Sequence, residues 1–315
     1  LKVYLAATED LYRARVQVQV QRLLISYFGA EPRLAVGLKS ASHPVPPTDW
    51  CIDSGAHFFL SALFKHDRKP PVQEAEEHLL KYLTYLEAHT FNGKPRFAVE
   101  LDLQDLYGVR QVEKWRDDLL FPFQARTGIP IAIAWHLIDG EAAWHRWLKD
   151  PRVQYLGLGG TRNIAPEVMI RLVVSAYDAG KPVHGFAAIR AQLLRTVPFY
   201  SVDSTSWGAG SLFGTVHSFD AQRGMILGKS AGRTLLRTDS SKAVGNLMAA
   251  GGRVHLRDLM GVKAGGSLSR MYQEAAKVHE KFEAWYTSFW NAKGIQWEKQ
   301  LAKGNSSAPV AARVP

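Results

Sequence analysis

The 315-residue chain predicts a single α/β domain, a closed (β/α)₈ TIM barrel. Three observations carry that expectation. Short apolar or β-branched runs alternate with amphipathic stretches of helical period, the order of a repeated βα unit. The runs are apolar almost throughout, as parallel strands covered on both faces must be. Seven such units follow one another with room for an eighth, which favours closure over an open, doubly wound sheet. A dinucleotide-binding turn is not supported, because Gly157-Leu158-Gly159-Gly160 has the wrong glycine spacing.

Taken in order, residues 2–7 form the first strand and 13–28 the helix after it. Residues 49–55 are the second strand. The helix over 70–89 is opened by prolines and carries Glu74, Glu76 and Glu77 in its first turns, where the dipole favours acids. The third strand is 96–103, followed by a helix over 109–127 that Gly128 stops. The fourth is 130–137, and its helix, 141–149, ends at Asp150-Pro151. Residues 153–158 are the fifth strand, 166–179 a helix stopped by Gly180, and 182–188 the sixth strand. A short helix over 189–196 leads to the seventh strand, 199–203. For the eighth, 224–228 is the candidate, inside a glycine-rich basic stretch (about 221–270) that reads as an insertion or extension. A long aromatic helix over 268–290 is expected to pack on the outside of the barrel. The domain therefore spans 1–302, and 303–315 is expected to be a disordered tail.

Net charge is +10, which points to a polyanionic partner, nucleic acid first. The cations are unevenly placed. Arg223, Lys229, Arg233, Arg237, Lys242, Arg253, Arg257, Lys263 and Arg270 are opposed within their stretch only by Asp239 and Asp258. Flexible main-chain amides among cations suit backbone phosphates. Lys65, Arg68 and Lys69 form a second cluster. No apolar run approaches the ~20 residues that cross a bilayer, so no membrane partner is expected, nor is a secretory leader read in the first residues. Cys51 is the one cysteine. It excludes an internal disulfide and a multi-cysteine zinc site, fits a cytoplasmic setting, and reads as a buried structural thiol.

Catalytic groups of such barrels sit at the C-terminal strand ends. Here those ends supply Asp53, Asp102, Trp135, His136, Gly159, Gly160, His184 and Asp203. An acid directly after an apolar run is costly to bury unless it is hydrogen-bonded or functional. Paired carboxylates suit glycosyl chemistry, one attacking an anomeric carbon while the other shuttles a proton. Glu100 and Asp102 share a strand face by the period of two, and only the one nearer the end, Asp102, is expected to reach substrate. Trp135 and Trp207 are candidates to stack on a base. His136 and His184 lack metal-ligand spacing and read as hydrogen-bonded mouth histidines, so no metal is expected.

Ile52-Asp53-Ser54-Gly55-Ala56 and Tyr200-Ser201-Val202-Asp203-Ser204-Thr205-Ser206-Trp207, with Leu156-Gly157-Leu158-Gly159-Gly160 and His184-Gly185-Phe186 between them, resemble motifs of the tRNA-guanine transglycosylase superfamily. The similarity is to its phage and bacterial DpdA-type branch, which inserts 7-deazaguanines into DNA. It covers roughly residues 50–207. The resemblance implies that Asp203 is the nucleophile toward C1′ and Asp53 the acid/base. It makes Asp102 the reader of the guanine edge, with Gly159 and Gly160 lying against the base. A base such as 7-cyano-7-deazaguanine would then be a substrate, with no cofactor required. Localisation would be the cytoplasm, or the host cytoplasm for a phage-encoded chain.

Departures are clear. Ala56-His57-Phe58 stands where the tRNA enzymes carry a glycine and an aromatic–glutamine pair. Trp135-His136 replaces a base-reading glutamine, and no cysteine follows Cys51, so the family's three-cysteine, one-histidine zinc subdomain is not expected. That favours DNA as the polymer. The same exchange on tRNA, a non-catalytic nucleic-acid-binding barrel and a carbohydrate-active barrel remain the alternatives.

Overall fold

The computed structural model describes residues 1–6, 21–27, 49–57, 59–61, 69–88, 94–208, 215–230 and 265–306. Eight parallel strands close into a barrel in chain order: β1 (Lys2–Leu5), β2 (Arg22–Ser26), β3 (Asp49–Asp53), β4 (Ala98–Val99), β5 (Ile131–Trp135), β6 (Tyr155–Leu158), β7 (Val183–Gly185) and β8 (Ser201–Ser204). β8 returns to β1 with Tyr4 opposite Asp203, and β2 meets β3 with Ser26 opposite Asp53. The helical layer comprises α1 (Val72–Ala88), α2 (Gln104–Tyr107), α3 (Val109–Trp115), α4 (Phe121–Thr127), α5 (Gly140–Lys149), α6 (Pro166–Asp178) and α7 (Ala191–Thr196).

The predicted barrel is present, but two strand assignments change. Arg22–Ser26 was expected inside a helix and is instead β2, hydrogen-bonded to both neighbours. Its run Arg-Leu-Leu-Ile-Ser is buried on both faces, and so short an apolar run carries no period that separates strand from helix. Ser201–Ser204 is consequently the eighth strand. The candidate eighth strand at 224–228 belongs to a separate antiparallel hairpin, β9 (Thr215–Asp220) with β10 (Met225–Ser230). β4 is also shorter than expected, because Leu103 N–H folds back onto the Leu101 carbonyl.

Between α3 and α4 the chain widens into a π turn, Arg116–Leu120. Pro122 accounts for it: proline has no N–H for the carbonyl four residues back, and its ring would collide with that carbonyl. Gly128 then ends α4 in the left-handed conformation. After the hairpin, α8 (Gly265–Ala292) and α9 (Trp297–Ser306) complete the described fold. On α8, Glu283 accepts the Val3 amide, Tyr286 donates to the Ala191 carbonyl and Trp290 to that of Leu194. These bonds fix the helix along β1 and α7. Gly224 lets the hairpin turn approach α8, since a Cβ there would lie 2.5 Å from the Trp285 ring.

The N-terminal end of the barrel is neutralised. Asp49, opening β3, lies within 3.7 Å of Lys2, 3.6 Å of Arg22 and 3.3 Å of Arg96, and accepts the Tyr4 hydroxyl. Aromatic rings fill the interior above it: Tyr4, Phe97, Tyr155 and the His184 imidazole, with centroids 4.3–6.0 Å apart. No helix among the described residues is long and apolar enough to cross a membrane.

Candidate active site

The C-terminal end of the barrel has the opposite character, because its acids face one another. Asp53 closes β3 and is half-buried; its Oδ2 accepts the Gly55 amide at 3.1 Å and the Ser26 hydroxyl at 3.5 Å. Burial pushes its carboxyl up to about 7; the charges of Asp102 and then Asp203 add to the rise, while the two hydrogen bonds oppose it. Asp102, just after β4, and Asp203, on β8, stand at the same end of the barrel as Asp53 and near enough to act on it.

Asp203 on β8 is only 7% exposed. Its Oδ1 accepts the Ala187 amide at 2.6 Å and lies 3.3 Å from His184 Nε2. Its Oδ2 has no hydrogen-bond partner among the described residues. Ala187 reaches Oδ1 by adopting φ 51°, the one left-handed non-glycine among the described residues, just after β7. Behind the imidazole, His184 Nδ1 lies 2.9 Å from Ser201 Oγ, which lies 2.9 Å from the Tyr155 hydroxyl.

Asp102 follows β4 and meets His136, at the end of β5, with Oδ2 2.9 Å from Nε2. Burial pulls the His136 pKa down, but the bond to Asp102 and the charges of Asp102, Asp139 and Asp105 outweigh it, and the net shift is upward. The turn is held by Asp139, whose Oδ2 accepts the His136 amide at 2.7 Å and Gln104 Nε2 at 3.4 Å. Its tip presents Leu137 and Ile138, 61% and 56% exposed, at the rim. Glu100 is not in the mouth. It makes a two-bonded pair with Arg116 of the π turn, at 2.6 and 2.7 Å, and accepts the Ala134 amide.

Other expected site residues take different places. Trp135 is fully buried, donates to the Gly140 carbonyl and packs edge-on against Trp144, so it cannot stack on a base. Trp207 is buried as well, with Nε1 on the Ala6 carbonyl. A Cβ on Gly159 would lie 2.5 Å from the His136 ring, and its amide is given to the Trp135 carbonyl. Gly159 therefore makes room for His136 rather than for a base. Gly160, at φ 61°, is exposed, with open space where a Cβ would stand. His184 is sealed behind Asp203 and is a support, not a base contact.

Among the cations assigned to nucleic acid, Lys69 is exposed with its ammonium 5.5 Å from the Tyr107 ring. Arg223 is exposed in the hairpin turn, 3.7 Å from Asp220. Lys229 is described only in its β10 backbone, and Lys65, Arg68, Arg233, Arg237, Arg253 and Arg257 lie outside the described residues. Cys51 is buried, its thiol 3.7 Å from the Leu23 carbonyl. Among the described residues no group of three or more His, Cys, Asp or Glu side chains is arranged to hold a metal ion.

The sequence reading missed Ser201, Tyr155, Ser26 and the Ala187 amide. Ser201 had a signal, since a strand's period of two puts it on the face of Asp203. Nothing in the residue type marks Ala187 as left-handed. Chemically, the mouth offers an acid with one open oxygen, a second acid able to hold or release a proton near neutrality, and an acid–imidazole pair. Searches against protein-family models and against curated proteins find no match to this chain.

Proposed function

We propose that the barrel is a pentosyltransferase that exchanges guanine in DNA for a 7-deazaguanine base through a covalent glycosyl-enzyme. One observation carries the reading: two carboxylates at one mouth are prepared for unequal tasks. Asp203 is held at Oδ1 and open at Oδ2, while Asp53 titrates at about 7. That is the division between nucleophile and proton shuttle that glycosyl transfer requires.

In the first half-reaction Asp203 bonds to C1′ as the C1′–N9 bond of guanine breaks. The electron pair leaves with the base, whose N9 takes the proton of Asp53. In the second half the incoming base gives its N9 proton to the Asp53 carboxylate and attacks C1′, releasing Asp203. Protons and electrons balance over the cycle, and no cofactor enters. The His136–Asp102 pair offers donors and acceptors to a base edge, and the apolar Leu137-Ile138 tip suits a flat heterocycle. The charge of +10 favours a polyanion. A target inside a duplex must be everted or supplied single-stranded to reach such a mouth.

The test incubates the protein with DNA, labelled guanine and 7-cyano-7-deazaguanine, with tRNA as competitor. Exchange into DNA that is lost in Asp203→Ala supports the reading; no exchange, or exchange untouched by that change, overturns it. Without an incoming base, the glycosyl-enzyme should accumulate below pH 7 and diminish as pH rises through about 7, because Asp53 must be protonated to release guanine.

A further inference from the structure

We propose that Tyr155, Ser201 and His184, with the left-handed Ala187 peptide, position Asp203 so that Oδ2 is the attacking atom. The inference rests on glycosyl transfer at this mouth, as proposed above. Both donors address one oxygen: Ala187 N–H at 2.6 Å and His184 Nε2 at 3.3 Å, each to Oδ1. A carboxylate gripped at one oxygen cannot rotate to exchange its two atoms, so the open Oδ2 faces the mouth in every turnover.

The order of the buried chain fixes the imidazole. Tyr155 is fully protonated because burial raises its phenol far above the usual range, and its hydroxyl has only Ser201 Oγ as a partner among the described residues. Donating to Ser201 leaves no buried proton unpaired. Ser201 then donates to His184 Nδ1, and the ring carries its proton on Nε2, pointing at Asp203. Tyr155 and Ser201 touch neither Asp203 nor the space in front of it. They are positioning residues acting through His184.

The arrangement suits both halves of the cycle. When Oδ2 bonds to C1′, Oδ1 becomes the carbonyl oxygen of the ester and still accepts both donors. When that ester is broken, charge returns to a carboxylate already hydrogen-bonded at Oδ1. No proton moves along the chain in either direction. Its contribution is orientation and preorganised donors, which act on the rate more than on substrate affinity.

The experiment combines steady-state base exchange with nitrogen-15 NMR of the histidine ring. His184→Ala should lower kcat about 100-fold with KM little changed, and His184→Gln, whose amide can still donate to Oδ1, should recover part of the loss. Ser201→Ala and Tyr155→Phe, gentler at these buried positions, should each lower kcat about 10-fold. NMR of the wild-type protein should show the proton on Nε2, and Ser201→Ala should give a mixture of tautomers. A proton on Nδ1, or a kcat unmoved by Ser201→Ala and His184→Ala alike, overturns the inference while exchange itself stands. A wild-type protein that performs no exchange overturns the proposed function, and this inference with it.

Discussion

Replacing Asp53 by asparagine should stabilise the fold above neutral pH while abolishing base exchange. An aspartate in the unfolded chain titrates near 3.8, and Asp53 in the fold at about 7. Between those values the folded state holds a proton that the unfolded state has lost, so stability falls as pH rises from about 4 to about 7 and is level above. The gap is about three pKa units, or about 4 kcal/mol at 1.36 kcal/mol per unit. Asp53 is half-buried, and solvent screening trims the expected gain from its removal to roughly 2–3 kcal/mol. Asparagine keeps a carbonyl for the Gly55 and Ser26 donors, so little is lost in exchange. Urea denaturation at pH 4, 6 and 8 measures it: the variant should equal wild type at pH 4 and exceed it by that amount at pH 8. The melting temperature at pH 8 should rise by roughly 4 °C. A variant less stable at pH 8, or one whose advantage does not change with pH, would refute the reasoning, because the cost would then not lie in the charge.

Four further substitutions, at three positions, address the surroundings of the acids. Gly159→Ala puts a Cβ 2.5 Å from the His136 ring, so the ring must leave Asp102 or the strand must shift; a loss of about 1–3 kcal/mol in urea denaturation and a weakened dependence of KM on the base's polar edge are expected. Glu100→Gln leaves the buried Arg116 charge without its counter-ion and should destabilise by about 3–5 kcal/mol, with the remaining folded enzyme still competent in a single-turnover assay. Ala187→Gly keeps the amide that holds Asp203 and removes the left-handed strain, so it should be neutral to about 1 kcal/mol more stable. Ala187→Val should lose both stability and kcat.

What could be read from the chain follows the reach of local patterning. Asp53 and Asp203 stood out because each breaks an apolar strand at its end, and Asp102 was preferred over Glu100 because it lies further along. The pair Glu100–Arg116 is a contact across 16 residues and a π turn, which no strand period encodes. Trp135 was misjudged although a period-two reading was available. It alternates with Ala134 and shares the face of Ile133, which borders Phe121 and Trp147 of the helical layer, whereas His136, one residue on, turns to the mouth. The second strand was lost to a helix because three buried residues between two half-buried ones offer no amphipathic signature, and that single error displaced the eighth strand by one unit.

The two acids of β3 give the sharpest argument for where function lies. Asp49 and Asp53 sit four residues apart on one strand. The first is met by Lys2, Arg22 and Arg96, of which Lys2 also reaches Glu298 and Arg22 also reaches Glu283, and it closes the base of the barrel as a paired network. The second is given no cation among the described residues; burial, with the charges of Asp102 and Asp203 adding to it, raises its pKa to about 7. A sequence shaped by stability alone had the means to neutralise Asp53, as it neutralises Asp49. Stability is forgone at the C-terminal end, where the Ala187 backbone is also strained and two imidazoles are aimed at carboxylates. Cost, strain and pairing coincide on one mouth, and the chemistry proposed for it uses each of them.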